Sequence, residues 1–403
     1  MATNFLINGS EFSDNFIPRQ IFTSGNLFMW GSNASSPGNV GYDGTSYGSG
    51  CMGDGQQYGG SYTSPIQVVD KGNNWKQVEA GRLVSCGIKT DGTLWTWGRN
   101  QYGQLGDNTT SDRSSPVQIY GGGTNWKQVS RGSFHMAAIK TDGTLWNWGR
   151  GTTGQLGEMA SYPGPDRSSP IQTSRGGTNW KFVSCGKYTT MAIKSDGTLW
   201  GWGQGGDGSL GLAGPPGPSL FSPVQTAVGG TNWKTISAGG GFGFGLKTDN
   251  TLWVWGSNSN GELGDNTTTA RYTAVQMPGN ETTWKLIQTG NYRMSAAIKS
   301  DGTLWTWGLN FYGALGDGTT VSKSSPVQTA AGGTNWKMVS VGSYQNMAAI
   351  KTDGTLWTWG RGRGNGDGTI TDMSSPVQIY GGGTNWKYVS VGNSHSGGII
   401  DIS

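Results

Sequence analysis

His135 and His395 are the two histidines of this 403-residue chain, and they stand more than half its length apart. With Cys51, Cys86 and Cys185 they are the first residues to ask for acid–base, nucleophilic or metal chemistry. Neither histidine has the serine and carboxylate partners of a triad, because the aspartates fall mostly in Asp-Gly pairs that read as turns. Both are read as structural. The nearest approach to a metal loop, Asn365 to Ile370, lacks an acidic residue at its first and last ligand positions and matches the Leu-Gly-Asp-Gly-Thr turn at Leu315 to Thr319. The glycine-rich stretch Gly239 to Gly245 lies on an expected strand and opens no helix. Three cysteines at non-equivalent positions imply no disulfide framework. The expectation is no catalytic residue, no metal and no cofactor.

Contact chemistry has more candidates. A long segment from 33 to 64, rich in Gly, Ser and Asn, carries Tyr42, Tyr47, Tyr58 and Tyr62. Tyrosines set among small polar residues supply contact area at low entropic cost, so these four are the candidate binding residues. Residues 1–22 form an arm in which Phe5, Leu6, Ile7, Phe12, Phe16 and Ile17 are too apolar for an inert tail, and these are candidate docking residues.

Positioning such segments is the work of a repeat that fills the rest of the chain. LWxWG or a close variant starts at Leu27, Leu94, Leu145, Leu199, Leu252, Leu304 and Leu356. Trp-Lys recurs at Trp75, Trp126, Trp180, Trp233, Trp284, Trp336 and Trp386, at intervals of 51, 54, 53, 51, 52 and 50 residues. All 20 tryptophans belong to these two motifs, so none is left for a private site. A period near fifty describes small units that bury their apolar faces only against one another. Within a unit, NWKQVSRG and MAAIKT read as two strands, Asp142-Gly143 as a two-residue hairpin turn with positive φ at both positions, and TLWNWG as a third strand. In that third strand Trp146 and Trp148 share one face and Leu145 and Asn147 the other, and SSPxQ supplies an outer strand where proline is tolerated. Each unit is a four-stranded antiparallel blade.

The two ends are complementary fragments. Gly25-Asn26-Leu27 begins with a third strand, and the last copy stops at Ser403 just before an LWxWG would start. Joining them makes a seventh blade and removes exposed sheet edges. The expected fold is all-β: a seven-bladed β-propeller over 23–403, with one blade closed by both termini.

The segment LWTWGRNQYGQLGDNTT at 94 to 110, with its following Ser-Pro-Val and Ala-Ile-Lys strands, resembles the regulator-of-chromosome-condensation repeat family over nearly all of 23 to 403. That resemblance implies a seven-bladed propeller closed by both termini. Family members include a chromatin-bound exchange factor for a small GTPase, ubiquitin-ligase modules, and bacterial and phage proteins; fold alone does not choose among them. Two departures weigh against the exchange factor. The family's second-strand histidine is kept only at His135 and His395, with Val84, Thr189, Arg293 and Gln345 near the corresponding place, and residues 1–22 hold Arg19 as their single cation.

Net charge is +4, and 13 of the 16 lysines are fixed by the repeat, seven after Trp and six in the Ile/Leu-Lys step. Charge spread evenly around a ring argues against a nucleic-acid partner. No basic and apolar leader opens the chain and no apolar run has membrane length, so synthesis in the cytoplasm without membrane insertion is expected. Near-identical repeats, many Asn, Thr, Ser and Gly, and 13% charged residues point to a phage-like or bacterial-like member. The leading functional expectation is a non-enzymatic structural or attachment protein of a virion or cell-exterior assembly. It would present loops to other structural proteins of the assembly, or to a host-surface protein or glycan. The alternative is an intracellular interaction scaffold or small-GTPase regulator.

Overall fold

The computed structural model describes residues 25–32, 50–56, 61–70, 72–159, 162–212, 217–279 and 281–401. Seven four-stranded antiparallel sheets follow one another around a ring. Blade 1 is typical: an inner strand Trp75–Ala80, then Val84–Lys89, Leu94–Gly98 and an outer strand Arg113–Gln118. Blades 2 to 6 repeat this from Trp126, Trp180, Trp233, Trp284 and Trp336. In blade 7 the C-terminal strands Trp386–Val391 and His395–Asp401 join Gly25–Ser32 and Ser61–Gln67 from the other end of the chain. The closing pair runs unbroken from Gly25 opposite Asp401 to Gly31 opposite His395. Both termini do close one blade.

Inner strands touch the inner strands of neighbouring blades all round the ring. The turns after inner strands and the long loops before outer strands therefore emerge on one face, here the loop face. The hairpins between second and third strands, and the connections to the next blade, emerge on the other, the hairpin face.

The hairpin turns depart from the expected type. Lys140 N–H donates to Thr144 O at 3.0 Å and Gly143 N–H to Lys140 O at 3.0 Å, which makes a three-residue loop ending in a bulge. Only Gly143 takes positive φ, at 79°; Asp142 does not. Asp142 serves instead through its carboxylate, which accepts from the Thr144 N–H and hydroxyl, and Thr144 Oγ1 in turn accepts from Trp146 Nε1. Asn250 holds the glycine's place in blade 4 with φ 63°.

The core lies between blades. The second tryptophan of each doublet is wholly buried, and its ring packs on the preceding blade, as Trp148 does on Val84, Leu94 and Leu105. In six of the seven its N–H donates to a carbonyl of the preceding loop: Trp97 to Cys51, Trp148 to Gln104, Trp202 to Gln155, Trp255 to Ser209, Trp307 to Glu262, Trp359 to Ala314; Trp30 Nε1 is buried without such a bond. That loop approaches so closely that a Cβ on Gly106 would lie 2.8 Å from Trp148. Cys51 to Gly53 is this same latch, so part of the 33 to 64 segment is core structure rather than insertion.

Inner strands are stapled in a second way. Ser130, Ser184, Ser237, Ser340 and Ser390 each accept, at Oγ, the backbone N–H of Cys185, Ala238, Thr289, Val391 and Ala80 in the next blade. Gln77 and Gln128 act as surrogate peptides, each donating to and accepting from a valine of the neighbouring inner strand.

Candidate functional site

His395 Nε2 lies 2.9 Å from Ser85 Oγ, the spacing of a base and nucleophile. The hydrogens run the wrong way for that chemistry. Ser85 donates its own hydrogen to Cys51 O at 2.9 Å, so it accepts from the Nε2–H of a neutral imidazole. His135 repeats the arrangement with Thr190, whose hydroxyl donates to Gln155 O. Both rings are fully buried at blade seams and leave Nδ1 without a partner. Burial pushes both histidines down to about 3, helped at His395 by the Arg131 charge.

This has a measurable consequence for acid stability. Each folded pKa lies below the ordinary value of 6.5, so the unfolded chain binds the proton first. The stability these rings contribute is complete above about pH 6.5 and falls as pH drops toward 3, at about 1.4 kcal/mol per unit and per histidine. Replacing both with Asn, the residue at the equivalent Asn346, should flatten the fall of Tm between pH 6.5 and 4. An unchanged slope would remove the histidines from the acid response.

The turn leading to that position varies in length. Met294 and Asn346, not Arg293 and Gln345, pair as His135 does, and the extra residue in blades 5 and 6 is absorbed at Arg293 and Gln345 with φ 58° and 62°.

Side chains from several blades meet across the central channel, around a cavity of about 50 Å³ lined by Glu79, Arg131, Asn291, Ser343 and Tyr388. Arg131 donates to Ser343 Oγ and Val391 O, each at 3.0 Å, and so ties blade 2 to blades 6 and 7 near the loop face. Asn291 reaches Ser133 and Ser343 at 3.4 Å. Deeper in, Tyr388 donates to Glu79 Oε1 at 3.0 Å, and Gln77 donates to the same oxygen. Among the described residues no group of His, Cys, Asp and Glu could hold a metal ion, and the three cysteines are buried. Asp367 accepts from the Thr369 N–H and hydroxyl, as its repeat equivalents do.

On the loop face, residues from successive turns form a ladder of cations and rings. Arg82 lies over Phe134 at 5.2 Å, Arg150 over Tyr102 at 5.0 Å and Phe134 at 5.6 Å, Phe134 stacks on Tyr188, and Lys187 lies over Tyr188. Across the mouth, Arg361 lies over Tyr344 and Tyr312, and Tyr344 packs on Tyr292. Lys187 is held below the usual lysine range by burial and by the charges of Arg82 and Arg293, with Asp207 opposing, and Arg293 itself donates to Ser259 and lies 4.0 Å from Glu262. Tyr292 and Phe311 stand exposed on the same face.

None of these residues was singled out by the sequence reading, although the seven Gly-x-x turns, aligned, carry the signal. Of the candidates it did name, Tyr62 lies on the outer strand of blade 7 and donates to Asp54 at 2.7 Å, a bond that raises its pKa together with burial and the Asp54 charge. Tyr42, Tyr47 and Tyr58 lie outside the described residues, as do Phe5, Leu6, Ile7, Phe12, Phe16 and Ile17.

Models of the regulator of chromosome condensation (RCC1) repeat match residues 91–139, 142–193 and 301–349, and a second form of that repeat matches 75–104, 180–209 and 233–262. The chain belongs to the regulator of chromosome condensation repeat family. The ultraviolet-B receptor UVR8 of Arabidopsis thaliana is 28% identical over 273 residues, 67% of this chain and 61% of the receptor. The mitochondrial RCC1 domain-containing protein RUG3 of the same plant is 28% identical over 70% of this chain and 64% of its own length. The human E3 ubiquitin-protein ligase HERC2 is also 28% identical, over 67% of this chain and 6% of the ligase. The chain thus spans less than two thirds of these relatives. Prp20p of Saccharomyces cerevisiae superposes with a TM-score of 0.78 at 19% identity, over 95% of this chain and 93% of Prp20p. Human WBSCR16 gives 0.76 at 18% identity, over 94% and 99%. At such identities these two structures show the fold alone.

The curated relatives are named as a receptor, an RCC1 domain-containing protein and a ubiquitin-protein ligase. Placement in a virion or cell-exterior assembly is overturned, and the phage-like assignment finds no support: the relatives named above are eukaryotic, and one is named as mitochondrial. The error has a physical origin. Near-identical repeats rich in Gly, Ser, Thr and Asn are what indole seams and tight turns demand of any such propeller, whatever its compartment. No helix among the described residues is long and apolar enough to cross a membrane.

Proposed function

We propose that this chain is an intracellular interaction and regulatory propeller that holds a protein partner across the loop face, and that the partner is of the small-GTPase class. The observation that carries the reading is the run of Arg82, Phe134, Tyr188 and Lys187, in which a cation lies over each ring of one stack. Rigid rings set among guanidinium groups make a hot-spot surface, and its sign selects an acidic counterpart. Prp20p is described as binding Gsp1p and histones, which supports a protein partner for this propeller architecture. The segment from Ser32 to Ser61 leaves and returns on the loop face, so contacts by Tyr42, Tyr47 and Tyr58 would extend the same surface. Tyr62, already engaged by Asp54, would contribute least. The 1–22 arm is a proposed second point of docking.

The test is capture of purified, nucleotide-stripped small GTPases, Gsp1p among them, on immobilised chain. Reversing Arg82, Lys187 and Arg293 together to Glu should weaken the captured GTPase at least tenfold; because Arg293 also donates to Ser259 and lies 4.0 Å from Glu262 across the seam of blades 4 and 5, the double reversal of Arg82 and Lys187, which leaves those contacts in place, is the control for stability. Capture that survives the reversal, or a panel in which no GTPase is retained, rejects the reading.

A further inference from the structure

The seven lysines that follow tryptophan share a geometry that packing does not explain. In every blade the pairing of inner and second strands skips them: Trp75 stands opposite Lys89 and Gln77 opposite Ile88, so Lys76 is a bulge residue. The same slip falls at Lys127, Lys181, Lys234, Lys285, Lys337 and Lys387. A bulge re-aims a side chain, and here it does so at the hairpin-face end of each innermost strand. The result is a ring of seven lysines on the hairpin face, one at the start of each innermost strand.

These charges feel one another. Lys76 is held below the ordinary lysine range by burial and by Lys127, Lys234 by burial and Lys285, and Lys337 by burial and Lys387. The protein's other lysines are largely matched. Six second-strand lysines each lie against two indoles, as Lys140 does against Trp126 and Trp146, and Lys323 pairs with Asp317. Within the ring, Lys387 meets Asp401 at 3.4 Å, Lys234 donates to Asn250, and Lys181 and Lys337 are engaged as well. Among the described residues, no carboxylate pairs with Lys76, Lys127 or Lys285. The turn aspartates of this face, such as Asp142, sit farther out on the hairpins and are held by their own threonines.

The fold does not require likeness at this place. One residue further on, the seven blades carry Gln77, Gln128, Phe182, Thr235, Leu286, Met338 and Tyr388. Like charges left without a carboxylate on one ring, as at Lys76, Lys127 and Lys285, oppose folding unless something offsets them. A compact anion of high charge does so, because one molecule touches several lysines at once, whereas a monovalent ion cannot. We infer that the lysine ring at the hairpin-face mouth is a binding site for a compact oligophosphate anion. The site faces away from the loop-face ladder and stands apart from the partner proposed for it.

The probe is inorganic tripolyphosphate, titrated into the full chain by calorimetry at low ionic strength and followed in parallel by Tm. Binding should raise Tm as ligand concentration rises and should weaken steeply with salt. Substituting Lys76, Lys127 and Lys285 with Gln should weaken binding at least tenfold, while Tm without anion stays equal or rises because repulsion is relieved. The exposed single variant K127Q gives the same direction at about threefold, should the triple variant fail to fold. Glu at Arg82, Lys187 and Arg293 should leave tripolyphosphate binding unchanged. Absence of binding heat and of any Tm rise overturns the inference, as does binding indifferent to the three Gln substitutions. Tighter binding of a 20-base-pair DNA duplex than of tripolyphosphate, lost on the same substitutions, also overturns it, in favour of nucleic acid.

Discussion

Trp359→Ala is expected to cost about 3–5 kcal/mol of folding stability, the range for emptying an aromatic site in a packed core. Trp359 is fully buried and lies in one cluster with Leu304, Leu315 and Val339, so a single ring joins blades 5 and 6. Its N–H donates to Ala314 O at 2.9 Å, and its edge meets Trp336. Neighbouring backbone cannot close the hole without moving Gly316, which has φ 68° and sits so near the indole that a Cβ there would stand 2.7 Å from Trp359 Nε1. Trp357→Ala is the control. That ring is half-buried, its N–H is satisfied within its own hairpin by Thr355, and Lys351 covers it from outside. Its loss should cost about 1–2 kcal/mol, mainly apolar area. Denaturant midpoints at unchanged slope measure both. Equal costs for the two would mean that the seams between blades do not carry the stability.

That hierarchy was largely legible in the sequence, because tryptophan spacing has one economical solution. Doublets with period two on a strand, repeated seven times, must place one indole inward between sheets, and the two partial copies at the ends can only complete each other. The turns were less legible. Asp142-Gly143 suits more than one hairpin, and the choice depends on which carbonyl Gly143 N–H reaches, a matter of register that composition does not carry. The faces were legible least. Lysines repeated with the blade were read as charge spread evenly around a ring, without regard to which face of the ring they occupy. When the sequence period equals one blade, equivalent residues instead gather at one height around one mouth. Even spacing in the chain is then concentration in the fold, and the same rule brings Arg82, Phe134 and Tyr188 together from three different blades.

Closure by the two termini sets the second large effect. Deleting residues 395–403 removes the strand that pairs with Gly25–Ser32 on one side and Trp386–Val391 on the other. Gly25–Ser32 and Ser61–Gln67 would then be a two-stranded hairpin, which is marginal in water, and Trp30 would lose the sheet that holds it against Ile350 and Val389. The His395 bond to Ser85, which crosses to blade 1, goes with it. Edges exposed on blades 1 and 6 leave an open array, so the deletion should lose the single cooperative unfolding transition and expose apolar seams to dye. Chain length is not the cause, and a permutant separates the two. Asp401 stands directly opposite Gly25 in antiparallel register, so a short turn can join them, with new ends opened at the exposed connection between Gly121 and Thr124. This permutant lacks residues 1–24 and 402–403 yet keeps every strand of the ring, and it should unfold cooperatively within a few degrees of the parent. A deletion of 395–403 that melts like the parent would show that the ring is held shut elsewhere.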